Sequence, residues 1–144
     1  MPRLDNVRVG AWREMQSLVG QLERSIDDDL RAEWDITIGW FDVLTSLQRL
    51  GGRARPLDVA SDLRLPPSSV SRRLDRLEEE GWIKRHRLID DADKRAVEVE
   101  LTKSGRRLWR EMNVSYRRSV QAAFARHLDD SEIADLRHIL DLLA

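Results

Sequence analysis

Six side chains within a nine-residue window carry most of the chemistry in this sequence: Ser68, Ser69, Ser71, Arg72, Arg73 and Arg76. Val70, Leu74 and Leu77 recur at intervals of four and three, so they mark the inward face of a helix. The hydroxyls and guanidinium groups then fall mainly on its other faces. Serines near a helix start, together with the free amides there, attract phosphate. An arginine can grip a guanine edge through two hydrogen bonds, for about 1–3 kcal/mol of discrimination. On these grounds Arg72 is assigned to a base, and Ser68, Ser69 and Ser71 to phosphate or base contacts. Arg73 and Arg76 complete the basic surface. The same segment also reads as an ordinary surface helix, with Asp75, Glu78, Glu79 and Glu80 pairing with Arg76 and Arg73.

The elements that must position this face are legible around it. A short helix with Leu57, Ala60 and Leu63 as inner positions leads into the break Arg64-Leu65-Pro66-Pro67. The second helix then spans about 67–80, and Gly81 ends it. Across about 82–101, Val97, Val99 and Leu101 alternate with Glu98 and Glu100 as a half-buried strand, with Ile83, Arg85 and Arg87 on its partner. This order predicts a helix-turn-helix with an attached β-hairpin wing, an arrangement suited to a DNA major groove. At the wing tip, Asp93 is expected to orient Arg95 toward a minor groove or phosphate, with Lys94 as the second candidate. A solvated hairpin tip is the other reading.

Helical arms flank this centre. Residues 5–36 form the N-terminal arm, where Val7, Ala11, Met15, Leu18, Leu22, Ile26 and Leu30 make a stripe that one helix cannot bury alone. Residues 37–101 form the winged helix-turn-helix. Thr37 caps a helix carrying Phe41, Leu44 and Leu47 on one side, and Gly51-Gly52 closes it. Residues 102–144 supply the C-terminal arm. Thr102 caps a long helix, and Asp130 or Ser131 caps a last one with Ile133, Leu136, Leu140 and Leu143 on one face. The predicted fold class is mainly α with a small β-wing (α+β), in one domain over residues 1–144. The arms point to a homodimer, because a two-fold DNA reader needs one; packing of the arms on each other within a monomer is the alternative.

Composition narrows the function. The chain has 144 residues, 25 Lys and Arg against 26 Asp and Glu, and no cysteine. Disulfides, thiolate zinc sites and thiol redox sensing are therefore excluded. His86, His127 and His138 are scattered without metal-ligand spacing, so no dedicated metal site and no cofactor are expected. No Ser-His-Asp set, paired-carboxylate cleft or phosphate loop emerges, and the chain is not read as an enzyme. No apolar run is long enough for a bilayer, and Met1-Pro2-Arg3-Leu4-Asp5-Asn6 lacks a signal-peptide core, so a cytoplasmic location is expected. A net charge of −1 conceals a mild contrast: residues 53–95 hold 11 Lys and Arg against 9 Asp and Glu.

The run Asp93-Lys94-Arg95-Ala96-Val97-Glu98-Val99-Glu100-Leu101-Thr102-Lys103-Ser104-Gly105 resembles the D-x-R-x(5)-L-T-x-x-G signature of the multiple antibiotic resistance regulator (MarR) family. Phe41-Asp42-Val43-Leu44, Leu57-Asp58-Val59-Ala60, Ser71-Arg72-Arg73-Leu74-Asp75-Arg76-Leu77-Glu78 and Gly81-Trp82-Ile83-Lys84-Arg85 also match. The resemblance covers nearly the whole chain. It implies a two-fold dimer built from terminal helices and bound to a palindromic operator on double-stranded DNA, usually as a repressor. It further implies release by a small ligand, often an anionic aromatic. For DNA it carries over Ser71, Arg72 and Arg95. The chain departs at Pro66-Pro67, which stiffens the turn, and at Arg73, where an apolar residue is usual. A winged-helix architectural or protein-interaction module without an effector is the alternative function.

Two further features bear on a ligand. The aromatic set is skewed, with five tryptophans and one tyrosine. Trp12 and Trp40 are expected to line a pocket for a planar anion, the competing reading being core or interface packing. Asp42, on an otherwise apolar helix, needs a partner if buried, and Arg76 is the candidate that would couple this helix to the DNA reader.

Overall fold

The computed structural model describes residues 3–88 and 96–144. In chain order the elements are α1 (Asn6–Trp34), α2 (Ile38–Arg49), β1 (Arg53–Ala54), α3 (Pro56–Leu63), α4 (Pro67–Glu79), β2 (Ile83–Arg87), β3 (Val97–Leu101), α5 (Lys103–Ala123), a 3-10 turn (Ala125–His127) and α6 (Asp130–Leu143). The strands form one antiparallel sheet in the order β1-β3-β2. This is the mainly helical winged helix with long arms that the sequence predicts. Among the described residues no helix is long and apolar enough to cross a membrane.

Local chemistry sets most of the element ends. Asp5 and Thr37 cap α1 and α2 by accepting from the Arg8 and Trp40 amides. Arg64, at φ 54°, closes α3 in the left-handed region, and Pro67 opens α4 at a position that needs no amide hydrogen. The last helix corrects one expectation: its cap is Asp129, not Asp130 or Ser131. Asp129 Oδ1 accepts from the Glu132 amide and Glu132 Oε2 accepts from the Asp129 amide, both at 2.8 Å. This reciprocal box needs a glutamate three residues after the cap, which only Asp129 has.

Two apolar clusters form the interior. The larger joins Val43, Leu44 and Leu47 of α2 with Val59 and Ala60 of α3, Val70, Leu74 and Leu77 of α4, and Ile83, Val99 and Leu101 of the sheet. The smaller joins Ile26 and Leu30 of α1 to Ile36, Phe41 and Met112. Each fully buried Leu or Val contributes roughly 1.5–3 kcal/mol. Trp40, Trp82 and Trp109 pack against both clusters. Hydrogen bonds from Trp34 Nε1 to Ser115 Oγ and from Trp109 Nε1 to Thr45 Oγ1, each 3.0 Å, fix two indoles in orientation. Leu57 is not an inner position, being 67% exposed. Val59 takes its place, because α3 packs on the core through Val59 and Ala60, which leaves Leu57 on the outer face. The sheet also has a strand the alternation pattern did not announce: Arg53 and Ala54 pair with Glu100 and Val99.

The segment after β3 docks α5 onto the wing. Thr102 Oγ1 donates to the Gly81 carbonyl at 2.7 Å and accepts from the Gly105 amide at 3.0 Å. The Thr102 amide donates to the Trp82 carbonyl at 3.1 Å. Gly105 lies so close to this turn that an added Cβ would sit 2.0 Å from the Trp82 carbonyl oxygen. Alanine normally gains about 1 kcal/mol over glycine inside a helix, but here backbone would have to move, and overpacking of that kind costs about 3 kcal/mol. Gly105→Ala is therefore expected to lower stability by a net of roughly 2 kcal/mol. The urea midpoint reads this, and an unchanged midpoint would show that α5 can back away freely.

Candidate nucleic-acid interface

Helix α4 divides into two faces. Val70, Leu74 and Leu77 are fully buried, whereas Ser68, Ser71, Arg72 and Arg76 are exposed and Ser69 is half-buried. No side chain caps the start of α4, which leaves first-turn amides on the same end as the serines. Arg72 carries no ion pair among the described residues, its only close polar neighbour being the Ser68 carbonyl at 3.5 Å from Nε. It is the guanidinium best placed to leave the surface and meet a base edge.

The other two arginines are engaged within the protein. Arg76 Nη1 lies 3.5 Å from Glu79 Oε2, as the surface-helix reading anticipates for this residue, and its guanidinium carbon stands 5.5 Å from the Trp40 ring centroid. Arg73 is half-buried and turned toward α2, where Nη1 donates to the Gly39 carbonyl at 3.2 Å. Asp75 and Glu78 pair instead with Arg85 of β2, at 2.7 and 2.8 Å, and so tie the wing to the reading helix. The sequence reading missed this clamp. The signal was present, since Asp75 and Glu78 at a spacing of three put an acidic edge on one side of α4. Lys94 and Arg95, with Asp93, lie outside the described residues.

The expected pairing of Asp42 with Arg76 does not form, because Arg76 is held by Glu79 and Trp40. The largest charge acting on Asp42 is Arg73. Burial pushes the Asp42 carboxyl above the ordinary carboxylate range, opposed by Arg73 and reinforced by Glu23. The folded chain thus holds this proton more tightly than the unfolded chain does. Ionised Asp42 costs stability once the pH rises past the ordinary carboxylate range, and at neutral pH that cost is present.

Trp40 separates two open clefts beside α4. One, of about 480 Å³, is lined by Arg31, Trp34, Trp40, Arg76, Glu80 and Trp82. The other, of about 420 Å³, lies against Glu23, Arg24, Arg31, Trp40 and Arg73. Trp12 borders neither cleft; it is 56% exposed on the N-terminal half of α1. Its expected place beside Trp40 is therefore corrected for a single protomer: Trp12 precedes the α1 residues that reach the cleft, of which Gly20 is the first. Among the described residues no group of three or more His, Asp or Glu could hold a metal.

A wing beside an exposed serine and arginine helix defines a winged-helix DNA-binding protein. The sequence profile of the MarR family matches residues 36–97, and this match together with the relatives and solved structures below supports a MarR family transcriptional regulator. The multiple antibiotic resistance protein MarR of Salmonella typhimurium is 29% identical over 123 residues, covering 85% of this chain and 83% of that protein. The regulator PecS of Dickeya dadantii is 30% identical over 86 residues, and the match spans 58% of this chain and half the length of PecS. Among solved structures, a mutant E. coli MarR complexed with operator DNA has a TM-score of 0.83 at 25% identity, covering 99% of both chains. The organohalide-sensing regulator RdhR in its 2,4-dichlorophenol-bound form has a TM-score of 0.84 at 20% identity, covering 99% of this chain and 84% of its own.

If Arg72 reads a base, Arg72→Ala should weaken binding to the cognate site by about 1–3 kcal/mol, roughly 5- to 150-fold, and relax preference at one base position. Anisotropy titrations over a set of single-base operator variants measure this, and an equal loss on every variant would remove Arg72 from base readout.

Proposed function

We propose that the protein is a homodimeric repressor that binds a palindromic operator and is released from it by a small anionic aromatic ligand. The observation that carries the DNA reading is α4 itself: one fully buried aliphatic seam, and opposite it an uncapped serine-rich start beside Arg72, which has no ion pair among the described residues. In this reading Ser68, Ser69, Ser71 and Arg72 contact the major groove. Lys94 and Arg95 reach the backbone or an adjacent minor groove from the wing. Repression follows from occupancy, since a dimer seated over a promoter excludes polymerase.

The dimer reading is supported by surfaces that a lone protomer leaves bare. Val7, Trp12, Leu18 and Val19 are exposed on the first part of α1, and Ile139, Leu140, Leu142 and Leu143 on α6. None of the residues of α6 is buried. Apolar stripes of this length on two helices are what a two-fold partner covers. Two such protomers present their α4 helices to successive major grooves, about one helical turn apart.

For the ligand, the clefts beside Trp40 supply indole faces and guanidinium groups at the junction between α1, α2 and α4. A flat anion suits that lining. A family member bound to 2,4-dichlorophenol supports an aromatic effector class. Trp40 belongs to this region, whereas Asp42 lines neither cleft and Trp12 belongs to the apolar stripe of the arm.

Sedimentation and a gel shift on the upstream region of the gene test the reading together. Wild type should sediment as a dimer and prefer that DNA over random competitor at two salt concentrations. A Leu18→Glu, Leu142→Glu variant should sediment as a monomer, keep its helical signal and lose operator binding by at least ten-fold. A wild-type monomer that binds with full affinity would overturn the dimer reading.

A further inference from the structure

Arg73 is the arginine of the reading helix that faces away from the reading surface. Its guanidinium enters the angle between α4 and the first turn of α2 and donates to the Gly39 carbonyl at 3.2 Å. Gly39 makes the space for it, since a Cβ there would lie 3.2 Å from Arg73 Cζ. Asp42, one turn further along α2, is half-buried, and Arg73 is the strongest charge that acts on it. Glu23 of α1 and Arg49 of α2 also act on Asp42, and Asp42 in turn acts on Tyr116 of α5. Glu23 and Arg24 of α1 border the same cleft as Arg73.

The physical need for such a contact follows from how α4 is held elsewhere. Its inner face is a seam of Val70, Leu74 and Leu77, and apolar packing is non-directional. A seam resists lifting of the helix more than it resists rolling about the helix axis. With side chains some 5–6 Å from that axis, a roll of about 10° moves the tip of Arg72 by roughly 1 Å. Bidentate contact with a base edge is lost over such a distance, whereas attraction to phosphate is far more tolerant. A hydrogen bond to a fixed carbonyl is directional, and it constrains the roll from the α2 side as the Arg85 pairs do from the sheet side.

We propose that Arg73 is a positioning residue for base readout, which sets the roll of the reading helix by anchoring it to the Gly39 carbonyl of α2, and that it makes no DNA contact itself. This rests on the DNA-reading function proposed above. The anchor couples the position of α2 to discrimination between sequences.

The test compares wild type, Arg73→Met, Arg73→Lys and Gly39→Ala on operator and random duplexes across a salt series. Arg73→Met should lose about ten-fold on the operator, little on random duplex, and keep the wild-type slope of log affinity against log salt. Arg73→Lys should recover part of the loss. Gly39→Ala, whose added Cβ would meet Arg73 Cζ at 3.2 Å, should also reduce discrimination. Uniform weakening on both duplexes, with a slope reduced by about one, would identify Arg73 as a phosphate contact and overturn the proposal. Unchanged discrimination in Arg73→Met would overturn it equally. Unfolding of the DNA-free protein gives a separate readout: Arg73→Met should cost less in the Gly39→Ala background than alone, and strictly additive effects would refute the anchor. A wild type that treats operator and random duplex alike removes the regulator reading, and this coupling still decides whether the anchor exists.

Discussion

A thirteen-residue helix that carries six serines and arginines in its first ten residues and has no side-chain cap at its start has little reason to be helical in water. What holds α4 in place is the burial of Val70, Leu74 and Leu77 in a socket built by α2, α3 and the sheet. Because these three residues supply the attachment, the rest of the helix is free to carry serines, arginines and an uncapped start. Other features serve the same socket. The turn at Thr102 and Gly105 locks α5 against the Trp82 carbonyl, and Arg85 draws the acidic edge of α4 onto β2.

The tryptophans explain how the socket is connected to the arms. Trp40, Trp82 and Trp109 touch both apolar clusters, so the boundary between the reading head and the arm layer is made of large, rigid side chains. Rigid aromatic packing transmits displacement where a looser aliphatic boundary would absorb it. Trp40 is the most exposed to such an effect, since Arg76 lies over its ring and Arg73 lies beside the preceding glycine. Two arginines one turn apart on α4 thus engage neighbouring residues of α2.

Much of this architecture was legible in the sequence because it depends on local periodicity. The α4 seam, the Thr37 and Thr102 caps, the Gly51-Gly52 stop and the alternation in β3 all follow from spacing within a few residues. The parts that were not legible depend on contacts distant along the chain. A two-residue strand such as Arg53–Ala54 has no period to detect. Leu57 turned out to be exposed because α3 packs on the core through Val59 and Ala60. Partner choice was the hardest to read: Arg76 had acidic candidates both on its own helix and on α2, and only the packed geometry shows that Glu79 and Trp40 hold it while Arg73 reaches the Gly39 carbonyl. At the interface, the exposed serine and arginine face was anticipated, whereas the inward turn of Arg73 and the Arg85 clamp were not.

The bare arms carry a consequence for the life of the chain. Neither cluster of the interior contains a residue from the first half of α1 or from α6. In an unpaired protomer these segments open at little cost while the reading head stays folded. Proteases that act on transiently opened backbone would therefore trim solitary chains in preference to assembled ones. In the dimer proposed above, cellular abundance would then track pairing, because the exposure that drives association also marks single copies for cleavage.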